Sequence, residues 1–240
     1  MKAVILAAGV GSRLAPLTND KPKVLVEVLG RSFLARQLEN LAAVGISGPD
    51  VVVVGGYRID RLREALAGTG ATIVVNDKYE PWNNFYSLLV AADAVRGHDF
   101  LQLDGDTILD ANLLPKLIAA PGDVVLAVDC RPGLDDEMMK AIVKPGTTSV
   151  TTVSKKLDPA RCAGESVGIS KVSAKVSEIV FEDLAKFPAE NLTHEYYEFA
   201  YNRLAAERID LRMVDVHGCK VIEIDTVADL QAAEELLRRA

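Results

Sequence analysis

The chain has 240 residues, 49% of them hydrophobic and 25% charged, with 27 basic against 34 acidic side chains and a net charge of −7. That composition is globular and long enough to bury a sizeable core, which excludes a disordered, collagenous or coiled-coil chain. The acidic balance argues against a nucleic-acid partner, and no apolar stretch approaches the roughly 18 residues of a membrane span.

In chain order, the first apolar block, 3–7, empties into Gly9 and Gly11 and reads as a buried parallel strand. The pattern recurs at 51–54, 71–75, 100–103 and 124–128, each run closed by glycine, asparagine or aspartate. Between the runs, apolar residues at three and four spacing predict helices: Phe33, Leu34, Leu38 and Leu41; Ile59, Leu62 and Leu66; Leu88, Leu89, Ala92 and Val95; Leu113, Leu114, Leu117 and Ile118. From 138 to 169 the character changes to short strand-like pieces at 141–143, 150–153 and 166–169, which predicts a β-rich insertion or flap. Helices are expected at about 173–187 and 193–208, strands at 211–216 and 220–224, and a last helix at about 226–239 capped by Asp225 or Thr226. The alternation predicts an α/β fold: a Rossmann-like, mostly parallel sheet flanked by helices, with the β-rich insertion around 138–169. No repeat or long linker interrupts it, so one domain over 1–240 is expected. Ligands should gather beyond the carboxyl ends of the strands.

Cys130, Cys162 and Cys219 are odd in number, widely spaced and in no CxxC arrangement, so neither a disulfide framework nor a zinc knuckle is expected. Together with a chain that begins a strand at once, without a charged leader, they point to a reducing, cytoplasmic setting. His98, His194 and His217 fall in different elements and form no zinc motif, and no serine lies in a GxSxG elbow.

The most informative segment is LAAGVGSRLAPLTNDKPK, residues 6–23. Ala7, Ala8, Gly9 and Gly11 directly after a strand let backbone N–H groups approach phosphate oxygens, and Arg13 and Lys23 add positive charge. It is not a Walker A loop, since no Gly-Lys-Ser/Thr follows, and Gly55 and Gly56 stand where a dinucleotide-binding unit places its acidic residue. In LQLDGDTIL, Asp104 and Asp106 follow a strand as two hard-oxygen groups that suit Mg²⁺; a turn closed by Asx hydrogen bonds is the plainer reading. In VIEIDTVADL, Asp225 ends a strand and starts the last helix, and Glu223 alternates onto the neighbouring face. NDKYEPWNNFYSLLVA, residues 76–91, is dense in amides and aromatics after a strand: Asn84 and Ser87 are placed to bond a base or ribose, while Trp82 and Tyr86 either face a ligand or pack in the core.

Residues 6–9, Gly11, Arg13, Leu14, Pro16, Thr18, Pro22 and Lys23 resemble the signature of sugar-phosphate nucleotidyltransferases. The resemblance implies a nucleotide held by Leu6, Ala7, Ala8, Gly9, Gly11 and Ser12, with Arg13 and Lys23 neutralising the triphosphate and the transition state. It also implies Mg²⁺ on Asp106 and Asp225, Asp104 being a nucleotide-side residue. The Asn-Asn-Phe-Tyr-Ser-Leu string is similar to that of phosphocholine cytidylyltransferases, as are VSKKL and the Gly-Glu-Ser at 164–166. By that likeness Lys155 or Lys156 meets the acceptor phosphate, register favouring Lys155, and Trp82, Tyr86, Glu165 and Glu223 help shape the acceptor side. Tyr196 and Tyr197, with Glu195 and Glu198, form an aromatic-acidic cluster on an expected helix, a wall for a small cation. One departure stands out: relatives that hold trimethylammonium use several tryptophans, and here there is only Trp82. Asp135, Asp136 and Glu137 suit a primary ammonium or the hydroxyls of an inositol phosphate instead.

The expected activity is transfer of CMP from CTP to a small phosphate or phosphonate, of the phosphocholine, phosphoethanolamine or 2-aminoethylphosphonate type, with release of pyrophosphate. An inositol-phosphate or sugar-1-phosphate nucleotidyltransferase is the alternative, and a non-catalytic nucleotide sensor or a dinucleotide-dependent oxidoreductase are readings from other classes. The expected state is a monomer or homodimer.

Overall fold

A computed structural model describes residues 1–238 of the chain. Strand β1 (Lys2–Ala7) leads through a loop to a small hairpin, β2 (Glu27–Val28) and β3 (Arg31–Ser32), and to helix α1 (Phe33–Ala43). Then come β4 (Val51–Gly55), α2 (Ile59–Leu66), β5 (Thr72–Val75), α3 (Asn84–Val90), α4 (Ala92–Val95), β6 (Phe100–Asp104) and β7 (Thr107–Leu109). The chain continues through α5 (Leu113–Ala119), β8 (Val124–Asp129), β9 (Lys140–Val143), β10 (Val150–Ser154) and β11 (Gly164–Val172). It closes with α6 (Ala174–Leu184), α7 (Glu198–Ala205), β12 (Leu211–Asp215), β13 (Val221–Glu223) and α8 (Val227–Arg238). Residue 239, the last of the expected final helix, lies outside the described residues. Among the described residues no helix is long and apolar enough to cross a membrane.

β1 pairs in parallel with β4 and β6, β4 with β5, and β8 with β12, which is the mostly parallel sheet the strand–helix alternation predicts. Its strands are apolar on both faces because helices cover both. Ala3 and Ile5 of β1 join the core that α1 and α5 close, whereas Val4 and Leu6 join the core that α3 and α6 close. Helix α1 shows the local logic: the Ser32 hydroxyl accepts from Ala35 N at 3.1 Å, and Phe33, Leu34 and Leu41 bury along one stripe.

Three expectations need correction. The strand expected at 166–169 spans 164–172 and lies within the main sheet, between β6 and β8 and antiparallel to both. Only β9 and β10 extend outward from its first residues. The register of β11 against β8 shifts between Ser166 and Ser170, around Gly168 at φ +69°, and that bulge hid the strand's length from a period-two reading. The helix expected over 193–208 begins only at Glu198, because residues 193–197 are tied to the start of α3: Asn83 N donates to Thr193 O (2.9 Å) and Tyr197 N to Asn84 Oδ1 (3.2 Å). The apolar spacing over 88–95 is divided between α3 and α4 at Ala91.

Candidate active site

The site forms where β1, β6 and β13 end together. After β1 the loop turns at Gly11, whose left-handed φ of +67° also leaves room for Lys23: a Cβ there would sit 2.8 Å from the Lys23 Cβ. Thr18 donates to Gly11 O at 2.9 Å and closes the loop on itself. The loop delivers Lys23 as the first residue of a single 3-10 turn behind Pro22.

Gly105 permits the second approach. A Cβ at this position would stand 2.6 Å from Leu6 O, and its own N–H donates to that oxygen at 2.9 Å. The Asp104–Asp106 turn is therefore pressed against the end of β1. Gln37, fully buried on α1, secures it by donating to Asp104 O (2.8 Å) and Thr107 O (2.9 Å). The third approach comes from the C-terminal part of the chain. β13 pairs antiparallel with β7, Glu223 opposite Thr107, and Ile224 N donates to Asp106 O at 3.1 Å. Asp225 is thereby set beside Asp106. Of the two expected caps for α8, Thr226 takes the role: its hydroxyl accepts from Asp229 N (3.2 Å), and Asp229 Oδ2 accepts from Asp225 N and Thr226 N (3.1 and 2.8 Å). The Asp225 side chain is left free to face inward.

Lys23 Nζ then donates to Asp106 Oδ2 at 2.7 Å and to Asp225 Oδ1 at 2.6 Å, joining residues 83 and 202 positions away in the chain. Arg13 Nη2 lies 2.8 Å from Asp225 Oδ2. Burial works against the Lys23 ammonium, yet Asp106 and Asp225 outweigh it and its pKa is raised. Burial also works against the Asp225 carboxylate, and Lys23 and Arg13 reverse that, so its pKa is lowered. Asp104 is held well above the usual carboxylate range, first by burial and then by Asp106, Glu198 and Glu223. Glu223 reaches the surface, but its carboxyl is crowded by protein and by Asp106 and Asp225, which push it up to about 7. Oxygen atoms of Asp106, Glu223 and Asp225 lie within 4.8 Å of one another, a cluster of hard donors able to hold a divalent cation.

Two cavities flank this junction. One, about 250 Å³, is lined by Leu6, Ala8, Gly9, Trp82, Asn84, Ser87, Asp104 and Asp106. Asn76 and Tyr79, which were not among the expected site residues, line it as well. Asn76 Nδ2 donates to Ser87 Oγ at 2.9 Å, and Gly56 admits the Tyr79 ring, 2.7 Å from where a Cβ would stand. Ala7 lines a small recess next to it with Lys23 and Asp106. The other cavity, about 380 Å³, is lined by Arg13, Glu137, Lys155, Glu165, Glu223 and Asp225. Its Arg131 was also missed; it holds Glu165 (2.6 Å) and Asp129 (3.3 Å), and no motif marks it.

Several expected residues lie elsewhere. Trp82 is in the cavity beside β1, not the one beside Lys155. Tyr86 packs edge-on against Trp82 at 4.8 Å and reaches Asp77 at 3.3 Å, lining neither cavity. Tyr197 is fully buried against Tyr201, centroids 5.7 Å apart, while Tyr196 lines a narrow cleft with Asn84, Asp104 and Glu223. Asp136 is exposed and contributes its carbonyl to Lys140 at 3.3 Å. Ser12 is exposed at the start of a 3-10 turn.

The chain is similar to several known proteins. The profile of the MobA-like NTP transferase domain matches residues 3–155. A choline-phosphate cytidylyltransferase of Streptococcus pneumoniae is 28% identical over 99% of each chain. A CMP-5'-(3-aminopropyl)phosphonate synthase of Streptomyces rubellomurinus is 38% identical over 50% of this chain, a stretch spanning only 19% of that protein. The solved structure of the CTP:phosphocholine cytidylyltransferase from Streptococcus pneumoniae superposes with a TM-score of 0.78 at 25% identity, covering 98% of both chains.

Proposed function

The chain belongs to the MobA-like NTP transferase domain family, and from that membership we propose that it transfers CMP from CTP to a small phosphate or phosphonate, releasing pyrophosphate. The observation that carries the reading is the junction of Lys23 with Asp106 and Asp225 at 2.7 and 2.6 Å, at the mouth of two cavities.

The acceptor is its own nucleophile. A phosphate monoester has a second pKa of about 6, so at neutral pH it carries a reactive anionic oxygen and needs no general base. That oxygen attacks the α-phosphorus of CTP, the bond from phosphorus to the bridging oxygen breaks, and pyrophosphate departs with the electron pair. The protein's task is placement and charge neutralisation. In this reading the small-residue loop at Ala8, Gly9 and Gly11 takes the triphosphate, Asn84, Ser87 and Asp104 the nucleoside, and Lys23 and Arg13 the charge that develops on the leaving group. Glu137, Lys155 and Glu165 stand on the acceptor side. Mg²⁺ takes hard oxygen from one or two carboxylates together with substrate phosphates, so Asp106 and Asp225, beside Glu223, would hold it. When bound, the ion neutralises phosphate charge and polarises the phosphoryl group.

The test crosses CTP, UTP, GTP and dTTP with phosphocholine, phosphoethanolamine, 2-aminoethylphosphonate, inositol phosphate and hexose 1-phosphates, reading pyrophosphate. CTP with a small phosphate or phosphonate is the expected pair. Preference for a hexose 1-phosphate, or no release from any pair, overturns the proposal. Lys23→Ala should lower kcat by about 10² or more at saturating substrates; wild-type rates in that variant would remove Lys23 from its role.

A further inference from the structure

Between the two cavities runs a narrower cleft of about 80 Å³. It shares Asn84 and Asp104 with the first cavity and Glu137, Lys155 and Glu223 with the second. It opens further into a recess of about 190 Å³ beside Tyr196 and Phe199. Glu198, the first residue of α7, lines both cleft and recess. The residue is only 3% exposed, and among the described residues its Oε2 has no hydrogen-bond partner. Buried carboxyl oxygens are normally matched to donors, because removing one from water unpaired is a net cost to the fold. Here the orphan belongs to a residue that lines the cleft joining the two cavities.

The surroundings narrow what supplies the missing donor. A quaternary ammonium is held by aromatic faces. The Tyr196 face is already taken, with Lys155 Nζ 5.5 Å from the ring centroid. Trp82 is on the nucleotide side. What the cleft offers is carboxyl oxygen, from Glu198, Glu137 and Glu223. A primary ammonium carries three N–H donors and a positive charge, and trimethylammonium carries no donor. Burial first, offset in part by its own backbone N–H, by the Tyr197 hydroxyl and by Lys155, pushes the Glu198 carboxyl up to about 7, so a bound cation would also restore its charge.

We propose that Glu198 determines acceptor specificity, its Oε2 accepting a hydrogen bond from a primary ammonium group at the end of the acceptor remote from the phosphorus. The acceptor class is thereby an aminoalkyl phosphate or phosphonate, and this deepens the reading of the chain as a cytidylyltransferase, on which it rests.

The experiment measures pyrophosphate release from CTP with phosphoethanolamine and its mono-, di- and trimethylated derivatives, in wild-type protein and in Glu198→Gln. In the wild type KM should climb with each methyl group, by tenfold or more across the series. In Glu198→Gln, KM for phosphoethanolamine should rise at least tenfold while calorimetric CTP affinity stays unchanged, which also reports that the variant is folded. The wild-type series needs no variant, so an unfolded Glu198→Gln does not spare the proposal. Equal or better use of phosphocholine by the wild type overturns it, as does a Glu198→Gln protein that uses phosphoethanolamine normally. Direct titration with 2-aminoethylphosphonate separates the two readings. Binding that depends on Glu198, without pyrophosphate from any acceptor, sustains the ammonium site and defeats the transfer reading. Transfer to amines that ignores Glu198 does the reverse.

Discussion

At the scale of single residues, the site is built by what is missing as much as by what is present. Gly11, Gly105 and Gly168 each stand where a Cβ would collide with a functional neighbour: Lys23, the end of β1 and the Asp104 carboxyl respectively. Gly168 combines a φ of +69° with a Cβ position 2.5 Å from Asp104 Oδ2. Gly168→Ala should destabilise the fold by about 1–3 kcal/mol through the left-handed backbone alone. It should also raise KM for CTP, since the added methyl displaces the Asp104 side chain. Urea unfolding measures the first effect and initial rates the second; a variant as stable as the wild type would mean that the bulge relaxes without strain. Gly11 was conspicuous in the sequence because it sits in a loop rich in small residues. Gly168 was not, since nothing near it in the chain announces that Asp104 will pack there.

At the scale of elements, the pairing of β7 with β13 is what converts three separate motifs into one site. It carries Asp225 across the chain to Asp106, and Gln37 of α1 secures the turn it joins. Gln37→Leu removes two buried hydrogen bonds, each worth about 0.5–1.5 kcal/mol, and relieves one unpartnered oxygen, Gln37 Oε1. A net loss of about 1–2 kcal/mol is expected in denaturant unfolding, accompanied by a fall in turnover as the Asp104–Asp106 turn loosens. An unchanged rate would separate the turn from catalysis. Thr226→Ala, by contrast, breaks the capping box of α8 and should cost about 0.5–2 kcal/mol; thermal melts would show it. Much of this was legible beforehand. Strand runs closed by glycine or aspartate located the parallel sheet and the loops that line the site. Pairings between distant segments, such as β7 with β13 and β11 between β6 and β8, leave no local periodicity. The 193–197 segment reads as helix by its spacing but forms turns tied to Asn83 and Asn84, which no local pattern reveals.

At the scale of the whole molecule, the buried carboxyls set how stability depends on pH. Burial raises Asp104, Glu198, Asp183 and Glu165 above their ordinary values, Glu198 to about 7. A raised carboxyl pKa means that the folded chain still binds protons that the unfolded chain has released. Stability from these groups is therefore fully present below the unfolded value of about 4.5 and is lost as pH rises through the folded one. Asp123 and Asp225 are lowered, and their contribution fades only as the solution becomes acidic, outside this window. The thermal midpoint of the ligand-free protein should consequently fall between pH 5 and pH 8, with the Glu198 contribution lost near pH 7. Glu198→Gln keeps the shape and removes the titration, so its midpoint should decline less and should exceed that of the wild type at pH 8. Scanning calorimetry across that range decides the matter: a wild-type midpoint that is flat or rising would mean that the Glu198 carboxyl is better solvated than its burial in α7 implies.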